Sequence, residues 1–193
     1  NVRYVWDNWS DNDSLVHNVL INNDTTFTAA FSTEYFVDIN YSNGGSVTPS
    51  DQWISSGSTL QVEAFPDSGY QFSEWIGTGN ASYSGTLNPA TINVLGPITQ
   101  LAVFTITPIE APSNLSGQIY SNPVSLQLFW QDNSTNELGF IIEKENQAGD
   151  AFIIVDSVAA NITDYLDSNV TYITYNYRVK AFNSLTVSEY SDT

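Results

Sequence analysis

The sequence predicts an all-β chain. Apolar residues recur at every second position along several runs, and Gly, Pro, Asn, Asp and Ser punctuate the runs. No window carries a 3.6-residue apolar stripe with helix caps. In chain order, Tyr35, Val37, Ile39 and Tyr41 fall on one side of a strand, with Phe36, Asp38 and Asn40 on the other. Leu60, Val62 and Ala64 alternate with Gln61 and Glu63. Val124, Leu126, Leu128 and Trp130 alternate with Ser125, Gln127 and Gln131. Tyr175, Tyr177, Val179 and Ala181 alternate with Asn176, Arg178 and Lys180.

The 193 residues suit one large domain or two small ones. The segment Thr107-Pro108-Ile109-Glu110-Ala111-Pro112 reads as a short extended linker or the lead-in to a strand. Before it lies an internal repeat. Tyr4-Val5-Trp6-Asp7-Asn8-Trp9 matches Tyr70-Gln71-Phe72-Ser73-Glu74-Trp75, and Thr26-Phe27-Thr28-Ala29-Ala30-Phe31 matches Thr99-Gln100-Leu101-Ala102-Val103-Phe104. The first pair lies 66 residues apart and the second 73, which places seven extra residues in the turn-rich segment 77–85. The first copy has no counterpart of residues 34–69. The expected organisation is therefore 1–33 as the second half of a repeat, 34–107 as a full repeat, and 108–193 as a separate β unit.

Two resemblances follow from particular residues. Gly44-Gly45-Ser46-Val47, Trp53, the run Gly57-Ser58-Thr59-Leu60-Gln61-Val62-Glu63-Ala64, Pro66, Gly69-Tyr70, Phe72, Trp75, Gly77 and the closing strand from Ile98 to Phe104 resemble the divergent internalin B-type surface repeat of bacteria and archaea. That family implies a small β-grasp-like, mostly β module, found in tandem on secreted and cell-surface proteins. Residues 108–193 resemble a fibronectin type III domain. The marks are Pro112-Ser113-Asn114-Leu115, Trp130 on the second strand, Asn136-Glu137-Leu138-Gly139-Phe140, Tyr175-Asn176-Tyr177-Arg178-Val179 on the sixth strand, and Ser188-Glu189-Tyr190-Ser191 on the last. The resemblance implies an Ig-like β-sandwich. Neither family implies a reaction.

Composition excludes several function classes. Lys and Arg total 4 against 21 Asp and Glu, for a net charge of −17. Nucleic acid and polybasic membrane-surface binding both need clustered bases, so neither is expected. No run is apolar enough for a transmembrane helix, so no membrane insertion is expected. With no Cys there is no disulfide, thiolate site or Cys nucleophile. With no Met, the chain is read as a processed mature chain or a piece of a longer one.

Catalysis would have to run through His17, the single histidine, and no Gly-x-Ser-x-Gly elbow accompanies it. His17 is read as a loop or strand residue, and no catalytic residue is assigned. Asp7, Asp11 and Asp13 are a calcium candidate, since calcium takes oxygen ligands. EF-hand spacing fails there, with Asn12 where Gly is needed and Asn18 where Glu is needed, so a solvated turn is the competing reading. No other cofactor is expected. Trp53 sits in a Gly/Ser-rich region and is the candidate for an exposed, sugar-stacking ring. Trp9, Trp75 and Trp130 are read as core, together with Tyr70, Phe72, Phe104, Tyr175 and Tyr177.

Sequons for N-glycosylation stand at Asn8, Asn12, Asn23, Asn40, Asn80, Asn114, Asn133, Asn161 and Asn169, against about four expected from random placement. Shared turn preference of Asn, Ser and Thr is the competing explanation. The half repeat leaves strands without cover. Either a longer tandem parent supplies it or a neighbouring subunit does, and the absence of a spare tail after the last strand favours the first. The functional expectation is a non-enzymatic structural segment of an extracellular or cell-surface protein: a stalk, an adhesin or a filament subunit. Its partners would be further copies or neighbouring modules. The alternative is an accessory, glycan-binding module of a large secreted hydrolase or protease.

Overall fold

A computed structural model describes residues 1–145, 149–171 and 173–192. The fold is all-β, with no helix among the described residues. The chain divides into two compact units, Asn1–Thr105 and Ile106–Thr193.

The first unit holds eight strands: β1 (Val2–Trp9), β2 (Ala29–Tyr41), β3 (Gly45–Thr48), β4 (Gln52–Ser55), β5 (Thr59–Pro66), β6 (Tyr70–Gly79), β7 (Ala90–Asn93) and β8 (Ile98–Ile106). One sheet runs β1-β2-β8-β6, with β4 also paired to β2, and a second runs β3-β5-β7. β2 and β8 are parallel, and β1 and β4 are antiparallel to β2. Val37 and Ile39 of β2, Trp75 of β6 and Phe104 of β8 meet Val62 and Ala64 of β5 and Ile92 of β7 in one buried cluster. The alternation of apolar residues along β2, β5 and β8 gives each strand one face for this layer.

The Gly44-Gly45 pair has a steric cause. A Cβ on Gly44 would run into the Tyr70 ring, and one on Gly45 into the Phe104 ring. Gly44 also sits at φ +103°, which favours glycine. The two glycines let the backbone entering β3 lie directly on two aromatic rings.

Position 33, expected to end the first copy, falls inside β2. That strand is continuous for 13 residues. Its first half pairs with β1, placing Trp6 opposite Phe31 and Trp9 opposite Ala29. Its second half pairs with β8. A single strand therefore spans the expected boundary between the two copies.

Among its described residues the second unit has six strands: β9 (Ser113–Ser121), β10 (Val124–Gln131), β11 (Gly139–Glu145), β12 (Ile153–Ala159), β13 (Asp164–Asp167) and β14 (Asn176–Phe182). They form two sheets, β13-β10-β9 and β12-β11-β14. Leu128 and Trp130 from the first sheet share a core with Phe140, Ile142, Tyr177, Val179 and Ala181 from the second. Trp130 and Phe140 meet with ring centroids 5.7 Å apart. This is a two-sheet sandwich, with Trp130 on its second strand and Tyr177 on its sixth, as the fibronectin type III resemblance implies.

Two expected strand boundaries differ. Tyr175 lies just before β14, not in it. Its hydroxyl accepts the Thr171 amide at 3.0 Å, so it fastens the approach to the strand as the tyrosine corner of Ig-like sandwiches does. The expected last strand, residues 188–191, forms no regular strand. Its backbone amides at Ser188 and Ser191 bond the carbonyls of Ala181 and Val179. The returning bonds, from the Ala181 and Val179 amides, go to the Ser188 and Ser191 hydroxyls. Side-chain oxygens replace main-chain carbonyls, so the edge of β14 is satisfied without a ladder.

Candidate interaction surface

β1 and the first half of β2 present a face that is the counterpart of the buried face of β6 and β8. Val2, Tyr4 and Trp6 lie opposite Tyr35, Thr33 and Phe31, on the same side of the sheet as the buried Val37 and Ile39. In the second copy the equivalent Tyr70, Phe72, Trp75 and Phe104 pack beneath β3, β5 and β7. In the first copy Tyr4 and Phe31 are exposed, and Trp6 and Trp9 are half-buried. Trp9, read from the sequence as core, is thus a rim residue whose indole donates to the Leu15 carbonyl at 3.1 Å.

The connection between β1 and β2, residues 10–28, lies over one end of this face. Trp9, Leu15, Val16, His17, Val19 and Phe27 line a cavity of about 360 Å³ there. The connection still leaves apolar side chains in solvent: Val16 is 87% exposed and Leu20 is 84% exposed. Scattered exposed apolar residues are ordinary, but a contiguous patch marks an interaction surface.

The charged and polar candidates in the same connection are not gathered into one site. Asp11 faces His17 Nε2 at 3.0 Å, and Asp13 accepts the Ser14 amide, while Asp7 stays on β1. Among the described residues no group of three or more His, Asp or Glu side chains is placed to hold a metal ion. His17 Nδ1 also meets the Ser14 carbonyl at 2.8 Å. Both ring nitrogens face acceptors, so only the imidazolium can donate to both. The Ser14 carbonyl raises its pKa above the ordinary histidine value; desolvation opposes this less strongly, and the Asp11 carboxylate adds to the rise.

Trp53 lies on strand β4, not in a turn, and is half-buried. Its ring meets Phe36 edge-on at 5.3 Å and carries the Arg3 guanidinium at 4.6 Å over one face. The register of β2 with β4, which pairs Phe36 with Trp53, creates that contact. The nine sequon asparagines are all exposed. Those at Asn12 and Asn161 take positive φ in turns, and Asn114 takes positive φ on β9. The side-chain amide nitrogens of Asn8, Asn40, Asn80, Asn114 and Asn133 donate hydrogen bonds within the protein. Of the residues read as core, Trp75, Phe104, Trp130 and Tyr177 are buried, and Tyr70, Phe72 and Tyr175 are half-buried at the core's margin.

All four bases of the chain are paired. Arg3 meets Glu34, Lys144 meets Asp167, and Arg178 and Lys180 both meet Glu143. Each also lies over an aromatic ring: Trp53, Tyr175, Tyr190 and Tyr190 respectively.

The Lys144 pair is buried and escaped the sequence reading. Lys144 Nζ bonds Asp167 at 2.9 Å and the Asn169 carbonyl at 3.2 Å, while the Tyr177 hydroxyl donates to the same carboxylate at 2.8 Å. Burial pushes the Asp167 carboxyl up, but the Lys144 and Tyr177 bonds outweigh it and hold its pKa below the usual carboxylate range. Burial and the Asp167 carboxylate drive the Tyr177 hydroxyl far above the ordinary tyrosine value. A signal was present: Lys144 has the same strand parity as the core residues Phe140 and Ile142, and an inward Lys needs a buried partner.

Comparison with known proteins agrees with this architecture over part of the chain. No curated protein matches. Among solved structures, the FN1–FN3 domains of chicken CNTN1 match with a TM-score of 0.40 and 14% identity, covering 81% of this chain and 60% of that one. The chain thus spans less than two thirds of that structure. Residues 35–108, less than half of the chain, match the family model of the divergent InlB B-repeat domain.

Proposed function

We propose that this chain is a non-enzymatic structural segment of an extracellular or cell-surface protein, working as a stalk, adhesin or filament element. The observation that carries this reading is the division into two all-β units, each built around its own apolar core, the first of which holds nearly all of the match to a surface-repeat family. The paired bases and the net charge of −17 support it, because they disfavour adhesion to anionic polymers and keep the chain soluble. The exposure of all nine sequon asparagines supports glycosylation of the same surface. Its partners are further copies of such modules.

Protease shaving of intact cells that carry the native protein tests the location. Peptides from both units are expected in the supernatant before any lysis. Recovery of the protein only after lysis would overturn the reading.

A further inference from the structure

The two copies of the repeat differ in what covers them. Counting back from the equivalent Phe31 and Phe104, Val19 stands where Ile92 stands, Ile21 where Val94 stands, and His17 where Ala90 stands. Residues 90–93 are β7, which pairs with β5: Ile92 lies opposite Leu60 and Ala90 opposite Val62. Residues 17–21 keep apolar side chains at Val19 and Ile21 but form no strand. They make no backbone–backbone hydrogen bond among the described residues. They have the sequence of a β7 without a β5.

A second difference points to the same absent element. Tyr4 and Phe31, 72% and 57% exposed, correspond to Tyr70 and Phe104. Those two rings are the ones covered by the backbone of Gly44 and Gly45 as it enters β3. Moreover, β2 runs unbroken from the covered Val37 and Ile39 to the uncovered Phe31, so the open face continues an interface already built.

We infer that this face is the seat of a polypeptide segment built like residues 34–69 of this chain. Its Gly-Gly pair would lie on Tyr4 and Phe31. Its central strand would add to residues 17–20 by main-chain hydrogen bonds and set apolar residues at the places of Leu60, Val62 and Ala64 over Trp6 and Trp9. This names the partner for the structural role proposed above and rests on that role. The face selects against other strands because only glycine fits against two rings at the entry point, and because the apolar period of two must match.

The test joins a second copy of residues 34–69 ahead of Asn1 in the full chain, which makes docking intramolecular. Amide exchange at residues 17–21 is expected to slow by about 100-fold or more on addition of the segment, as open strand amides become ladder amides. Val19→Asp, or Gly45→Val made in the added segment alone, is expected to return it to the rate of the parent chain. Unchanged exchange at residues 60–64 of the resident repeat shows that these variants remain folded. Exchange at residues 17–21 that ignores the added segment would overturn the inference. So would a concentration-dependent dimer of the parent chain that Val19→Asp abolishes, since a second copy would then be the occupant. Cell-surface shaving reads a different property, so the location and the seat fail separately.

Discussion

Replacing Lys144 by Met tests the most concentrated electrostatic feature of the second unit. The Lys144 and Asp167 side chains are 6% and 4% exposed, with 2.9 Å between nitrogen and oxygen. Removing the ammonium leaves a buried carboxylate with the Tyr177 hydroxyl and the Asn169 amide as partners, but with no opposite charge. Breaking a buried pair from one side costs about 3–5 kcal/mol. For a unit of this size each kcal/mol moves Tm by about 4–8 °C, so a fall of at least about 12 °C is expected. Urea unfolding of the full chain, followed by amide exchange along β11 and β14, assigns the loss to the second unit. Adding Asp167→Leu to Lys144→Met is expected to recover most of the loss, because a buried pair replaced as a whole by apolar residues is close to neutral. The sign with pH is fixed by Asp167. Its folded pKa is depressed, so its contribution is present above the unfolded value and lost as pH falls through the folded one. The difference between parent and Lys144→Met therefore shrinks in acid. A single variant within about 1 kcal/mol of the parent at neutral pH would refute the assignment of a stabilising buried pair.

Four further outcomes are expected. Trp130→Ala removes the ring that bridges the two sheets of the sandwich and should cost about 3–5 kcal/mol, read as a lower urea midpoint for the second unit. Gly45→Val in the resident repeat drives a side chain into the Phe104 ring and should lower the melting temperature of the first unit, whereas Gly57→Ala, with open space around it but a φ of +82°, should cost only backbone strain of about 1 kcal/mol. His17 has a raised folded pKa, so its contribution to ordering residues 10–28 is full below the ordinary histidine value and lost as pH rises through the folded one; amide exchange in that segment should quicken across this window, and His17→Asn should flatten the profile. In native glycopeptides, occupancy should be higher at Asn12, Asn23, Asn161 and Asn169 than at Asn8 or Asn133, whose amide nitrogens already donate within the protein.

What was legible in the sequence was whatever alternation and turn chemistry encode locally. The strands carrying Val37, Val62, Leu128 and Val179 follow from period two, because a half-buried strand must alternate. Less legible were polar side chains that substitute for main chain. Gln100 is fully buried, yet it both donates to and accepts from the Tyr83 backbone at 2.9 Å. Asn88 does the same for Ala64 across 24 residues of sequence. Nothing local marks such a residue as interior, since its partner is chosen by tertiary register. Trp53 shows the same limit. Its Gly/Ser-rich neighbours suggest a turn, but pairing with β2 makes it a strand residue that meets Phe36 edge-on and lies under Arg3.

Equivalent residues with different burial separate what a position is built for from what currently covers it. Trp75 is fully buried and Trp9 is not, although both follow a Tyr and a second aromatic at the same spacing. Local sequence therefore does not set the difference. It is set by what lies above the ring, and residues 17–21 keep the apolar positions of β7 at Val19 and Ile21 without forming a strand. An exposed apolar edge of this kind is an aggregation hazard unless something occupies it. Tyr4, Trp6, Trp9 and Phe31 on one open face, with Val19 in the connection beside it, where polar residues would dissolve better, are what an occupied seat requires.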